Sequence, residues 1–109
     1  DRDKRLPILD GPIGQHEVVA AQYLSLTQLL EPYEVSIDQL RLTTQRSWLG
    51  QLSNGTVVAL GEKSIASRLE RFIRFLPESQ SRYKSLKFAD LRYPNGFSVS
   101  SSVNGKDGS

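Results

Sequence analysis

Asn54-Gly55 stands between two β-prone runs, Ser47–Leu52 and Thr56–Leu60, and constrains the fold more than any other dipeptide in the chain. Glycine accepts positive φ without a Cβ penalty, so the pair closes an antiparallel hairpin and makes sheet neighbours of sequence neighbours. The preceding run, Ser36–Thr44, ends in the alternation Leu40-Arg-Leu-Thr, apolar on one face and polar on the other. A sheet of hairpin-linked strands is therefore the frame on which the other segments have to be placed.

Two of those segments carry helical periodicity. Val18, Val19, Tyr23, Leu26, Leu29 and Leu30 recur at three- and four-residue spacing. Pro32 then predicts a helix over roughly 15–31, with Glu17 in the first turn, where the dipole favours an anion. Ile65, Leu69, Phe72, Ile73 and Leu76 make a second stripe, with Ser64 as N-cap and Pro77 expected to stop the helix within a turn or so. On that reading residues 78–85 are a polar linker.

The remaining apolar runs are strands. Leu6-Pro-Ile-Leu9 is short, and Pro7 places it at an edge or a strand start. Asp10-Gly-Pro-Ile-Gly14 is turn chemistry. Leu86–Arg92 alternates imperfectly, so which of its faces points inward stays open. It is joined to Phe97–Ser101 by a turn at Pro94-Asn95-Gly96. The order β, α, β, β, β, α, β, β predicts a two-layer α+β domain, with a largely antiparallel sheet, both amphipathic helices on one face and the last strand at the sheet edge. Residues 6–101 form that domain, 1–5 are a charged lead-in, and 102–109 are polar and read as a flexible tail.

Composition removes several function classes. The 109 residues suit one domain, and the absence of cysteine rules out a disulfide framework or a thiolate metal site. His16, the single histidine, starts a helix and is read as exposed or capping rather than catalytic or zinc-binding. The carboxylates are scattered, with no spaced pair on one element that would suggest acid–base work. Arg68, Arg71 and Arg74 form a basic stripe, followed by Arg82, Lys84 and Lys87. With a net charge of +2, and with Glu70 four residues before Arg74, that stripe reads as a solvated helix face rather than a nucleic-acid surface. Trp48, Tyr23, Phe72, Phe75 and Phe88 fit a core better than a ligand pocket. No enzyme activity and no cofactor are expected.

What remains is the C-terminal strand. Phe97 and Val99 alternate with Ser98 and Ser100, giving one buried and one wet face, and the strand has none of the charges or prolines that protect an edge. A bare edge is a candidate for strand addition by a partner, although a central position for this strand stays open. Tyr93, beside Arg92 at a strand end, is either an interface anchor or packed on its own sheet.

These residues also carry a family resemblance. Ala89-Asp-Leu-Arg-Tyr-Pro-Asn-Gly-Phe-Ser-Val99 resembles the closing Val-Asp-Leu-Arg-Tyr-x-x-Gly-x-x-Val signature of the FtsQ family of bacterial cell-division proteins, called DivIB in Gram-positive bacteria. In order, Leu6-Pro-Ile-Leu-Asp-Gly-Pro-Ile-Gly14, Arg46-Ser-Trp48, the Asn-Gly hairpin and Arg68-Leu-Glu-Arg-Phe72 are similar to further family motifs, in the proteobacterial form. The resemblance implies the C-terminal β domain of a single-pass inner-membrane protein, lying in the periplasm at the division septum. The family's domain begins slightly upstream of Leu6, so a first strand or hairpin is expected to be missing here. It further implies a non-enzymatic scaffold that binds FtsB, itself paired with FtsL, by strand addition and helps control septal peptidoglycan synthesis. By matching motifs, Arg46 and Arg92 would meet FtsB carboxylates and Tyr93 an apolar side chain. Phe97, Ser98, Val99, Ser100 and Ser101 would supply backbone bonds, with Asn95 in the adjoining turn. Ser101 stands where some members have Trp, and Asn95 where they have a smaller residue. The alternative is a periplasmic peptidoglycan- or substrate-binding module using Trp48 and the helix arginines.

Overall fold

A computed structural model describes residues 6–82, 86–93 and 96–101. Its six strands form one sheet in chain order: β1 (Ile8–Asp10), β2 (Ile37–Leu42), β3 (Trp48–Leu52), β4 (Val57–Gly61), β5 (Leu86–Asp90) and β6 (Ser98–Ser101). α1 (His16–Leu30) carries the chain from β1 to β2, and α2 (Ile65–Arg82) from β4 to β5. Those two junctions are parallel, because a helix returns the chain to the end of the sheet it left; the other three are antiparallel. The expected α+β architecture, its element order and its edge-placed last strand are all present.

The helices touch each other and share one apolar core with the sheet, so they lie on the same face. Val19, Leu26 and Leu30 of α1 and Leu69, Phe72 and Ile73 of α2 are fully buried. Beneath them the register aligns Leu40, Gly50, Val58, Ala89 and Val99 across five strands. Each fully buried Leu, Ile or Phe contributes roughly 1.5–3 kcal/mol relative to exposure. The turn from β1 into α1 approaches the helix closely: a Cβ on Gly11 would stand 2.8 Å from Val19 Cγ2. Val18, placed in the buried stripe by its spacing, faces outward instead and is half exposed.

Three sequence expectations need correction. Pro77 does not stop α2, which runs on to Arg82. Proline removes one intrahelical bond, and the helix formers Glu78, Gln80 and Arg82 sustain another turn in place of the expected linker. Phe88 is not in the core but lies partly exposed on the sheet face away from the helices. Its position follows from a bulge: β5 spends an extra residue at Lys87, so Leu86 and Ala89 are both inward while Phe88 is not. The bulge explains the imperfect alternation of this segment.

Candidate functional site

Among the described residues β6 has one sheet neighbour, β5, and the direction of its backbone groups can be worked out from the ladder. The Leu91 amide donates to the Ala59 carbonyl at 2.8 Å, so Leu91 and Ala89 turn their backbone groups toward β4. Alternation then turns Phe88 and Asp90 toward β6, where they meet Ser100 and Ser98 as hydrogen-bonded pairs. Val99, opposite Ala89, is left with its N–H and C=O facing the open side. Ser98 and Ser100 are exposed, whereas Val99 and Phe97 are half-buried, so the side chains obstruct a new strand little. Phe97 precedes β6, and its ring packs edge-on against Phe72 and Phe75, with centroids 5.5 and 5.1 Å away. Ser101 ends the strand opposite Leu86.

At the start of this edge, Arg92 is already engaged. Its Nε and Nη2 donate to the two Asp90 carboxylate oxygens at 2.8 and 2.7 Å, and its amide donates to Oδ1 at 3.1 Å. The fork from Arg92 holds the Asp90 carboxyl below the usual carboxylate range against the opposing effect of burial, and Arg92 itself is shifted up. A guanidinium has five N–H donors, so Arg92 keeps donors for a partner but brings little net charge. Its stem lies over Gly61, where an added Cβ would come within 3.2 Å of Arg92 Cγ and 2.8 Å of Arg68 Nη1. With φ at +82°, Gly61 is a position that only glycine fills without strain. Tyr93 follows, 51% exposed and outside any strand.

Arg46 is held differently. Two hairpin loops share one pattern: Thr43 N bonds Ser47 O and Arg46 N bonds Thr43 O, as Leu52 N bonds Thr56 O and Gly55 N bonds Leu52 O. The residue in the left-handed conformation is Gly55 in one loop, at φ +93°, and Arg46 in the other, at +63°. Holding a non-glycine residue there costs about 1–2 kcal/mol, and the Thr43 hydroxyl, accepting from the Gln45 and Ser47 amides, helps maintain it. The Arg46 side chain is exposed and, with Trp48, Glu62 and Ile13, lines an open groove of about 420 Å³.

Arg46, Arg92 and Tyr93 thus gather at one end of the sheet, on either side of the Trp48–Gly61 pair. They do not form one contiguous contact. From β3 to β6 there are three strand spacings, about 14 Å. A strand along β6 therefore cannot itself reach Arg46. Trp48 is mostly buried in the core and reaches the groove beside Arg46 with only a small part of its ring. Asn95 lies outside the described residues. The Asp90–Arg92 fork was missed from the sequence, though two opposite charges two residues apart on one strand face were its signal.

Comparison with known proteins assigns the chain a family. The model of the family "Cell division protein FtsQ/DivIB, C-terminal" matches residues 1–92. The cell division protein FtsQ of Xanthomonas campestris pv. campestris is 35% identical over 98% of this chain and 39% of its own length. FtsQ of Nitrosospira multiformis is 33% identical over 89% of the chain and 42% of its own length, and that of Escherichia coli K12 is 32% identical over 86% and 36%. The chain thus spans about two fifths of the length of these relatives. The family match stops at Arg92, just before the open edge, whereas the Xanthomonas alignment covers nearly all of the chain. The chain belongs to the FtsQ/DivIB family of bacterial cell division proteins, as its C-terminal domain.

Proposed function

We propose that this domain is a non-enzymatic divisome scaffold that captures the periplasmic segment of FtsB, paired with FtsL, by strand addition to β6. The observation that carries the reading is the outward-facing backbone of Val99 on an edge without charge or proline, next to exposed Tyr93. Arg92 contributes its remaining donors, and Arg46 meets a carboxylate on the portion of FtsB that crosses the sheet end. In the whole protein the domain sits in the periplasm at the septum, anchored in the inner membrane through segments outside this chain, and relays FtsB binding to septal peptidoglycan synthesis.

Titration of the 15N-labelled domain with the FtsB segment should give saturable shifts largest over 93 and 97–101. Muropeptides should give none. Saturable muropeptide binding with no response to FtsB would replace this reading with that of a peptidoglycan-binding module.

The strained Arg46 supplies a sharper prediction. Arg46→Gly should leave the domain as stable or raise its stability by up to about 1 kcal/mol, since glycine relaxes the left-handed position. The same change should weaken FtsB binding several-fold. Thermal melts and fluorescence polarisation on one preparation test both signs; lost stability with unchanged affinity would leave Arg46 a purely structural residue.

A further inference from the structure

The flank of α2 that overhangs the open edge is built differently from the rest of that helix. Ser67, Glu70, Arg71 and Arg74 recur at three- and four-residue spacing, off the buried stripe of Ile65, Leu69, Phe72 and Ile73. With Phe75 and Phe97 they line a groove of about 520 Å³ between the helix and the start of β6. The floor is aromatic, because Phe75 and Phe97 meet there edge-on with centroids 5.1 Å apart. The rim is cationic. Arg74 is tied to Glu70 at 3.4 Å, whereas exposed Arg71 makes no ion pair among the described residues. Among the described residues Arg71 is thus the unpaired charge of this groove.

A strand added to β6 sends alternate side chains toward the helix layer, in line with inward-facing Phe97 and Val99. We propose that the groove is a side-chain subsite for that incoming strand, taking an apolar residue on Phe75 and Phe97 and, two residues along the same face, a carboxylate on Arg71. This rests on the strand-addition reading and adds a partner chemistry to it: an apolar and an acidic residue spaced i, i+2. Neither Arg46, three strands away, nor Arg92, tied to Asp90, lines this groove.

The test is fluorescence polarisation of the labelled FtsB segment against Arg71→Glu and Arg71→Ala, with thermal melts as a fold check. Arg71→Glu should weaken binding about tenfold at low ionic strength, and the loss should shrink in high salt, as for a rim charge. Lysine at one acidic position of the peptide should restore affinity for Arg71→Glu alone. Wild-type affinity in both Arg71 variants, or no rescue at any acidic position, overturns the subsite. Val99→Pro in parallel separates the two ideas. If it abolishes binding while the Arg71 variants do not, the subsite alone fails; if it binds as wild type, strand addition fails and the subsite with it.

Discussion

Val99→Pro should abolish FtsB binding while the domain stays folded. The expectation follows from where the Val99 amide points. The ladder from β4 through β5 directs Ser98 and Ser100 at β5 and leaves the Val99 N–H on the open side. Proline therefore removes no bond inside the sheet, and an edge position with its N–H outward is where sheets tolerate it. An added strand loses a donor worth about 1 kcal/mol, and the pyrrolidine ring occupies the space its carbonyl needs. Together these exceed 1.4 kcal/mol, a tenfold loss or more. Val99→Ala controls for the packing of a half-buried side chain against the core; it should cost about 1 kcal/mol of stability and leave most of the affinity. Equal affinity in Val99→Pro and Val99→Ala would mean that the edge backbone carries no binding.

Much of this geometry was legible before any coordinates. Asn54-Gly55 announced its hairpin because only a few residue types take the left-handed conformation. The outward direction of Val99 was not legible, since it depends on the parity of a ladder two strands away. Bulges are similarly silent in composition: Lys87 looks like any strand lysine, yet its extra place reverses which of its neighbours face the core. Pro77 misled because a local rule was applied to a helix whose burial and flanking residues outweigh one missing bond. At the site, residue types could not assign partners. Arg92 looked available for an incoming carboxylate, and a carboxylate of its own strand holds it.

That pairing shifts the expected weight of the interface onto Tyr93. With Arg92 largely neutralised by Asp90, a contact of Arg92 with FtsB would resemble a positioned hydrogen bond more than a free charge, worth about 1 kcal/mol. Tyr93 is anchored by its neighbour: the Arg92 stem is seated on Gly61, so the backbone at Tyr93 leaves the sheet from a defined place. Half of its surface is open, and it is absent from the apolar core. With Ser101 where some family members carry Trp, Tyr93 is the more exposed aromatic at the start of this edge. Tyr93→Ala should therefore cost about 2 kcal/mol of binding, roughly thirtyfold, as truncation of a central interface aromatic does. Stability should change by less than about 0.5 kcal/mol, since an exposed ring outside the core is removed. Tyr93→Phe separates ring from hydroxyl and should bind within a few-fold of wild type. Calorimetry with the FtsB segment and a denaturant melt of each variant make the comparison. Unchanged binding by Tyr93→Ala, or a stability loss matching its binding loss, would mean that Tyr93 serves the fold and the anchor lies elsewhere on the edge.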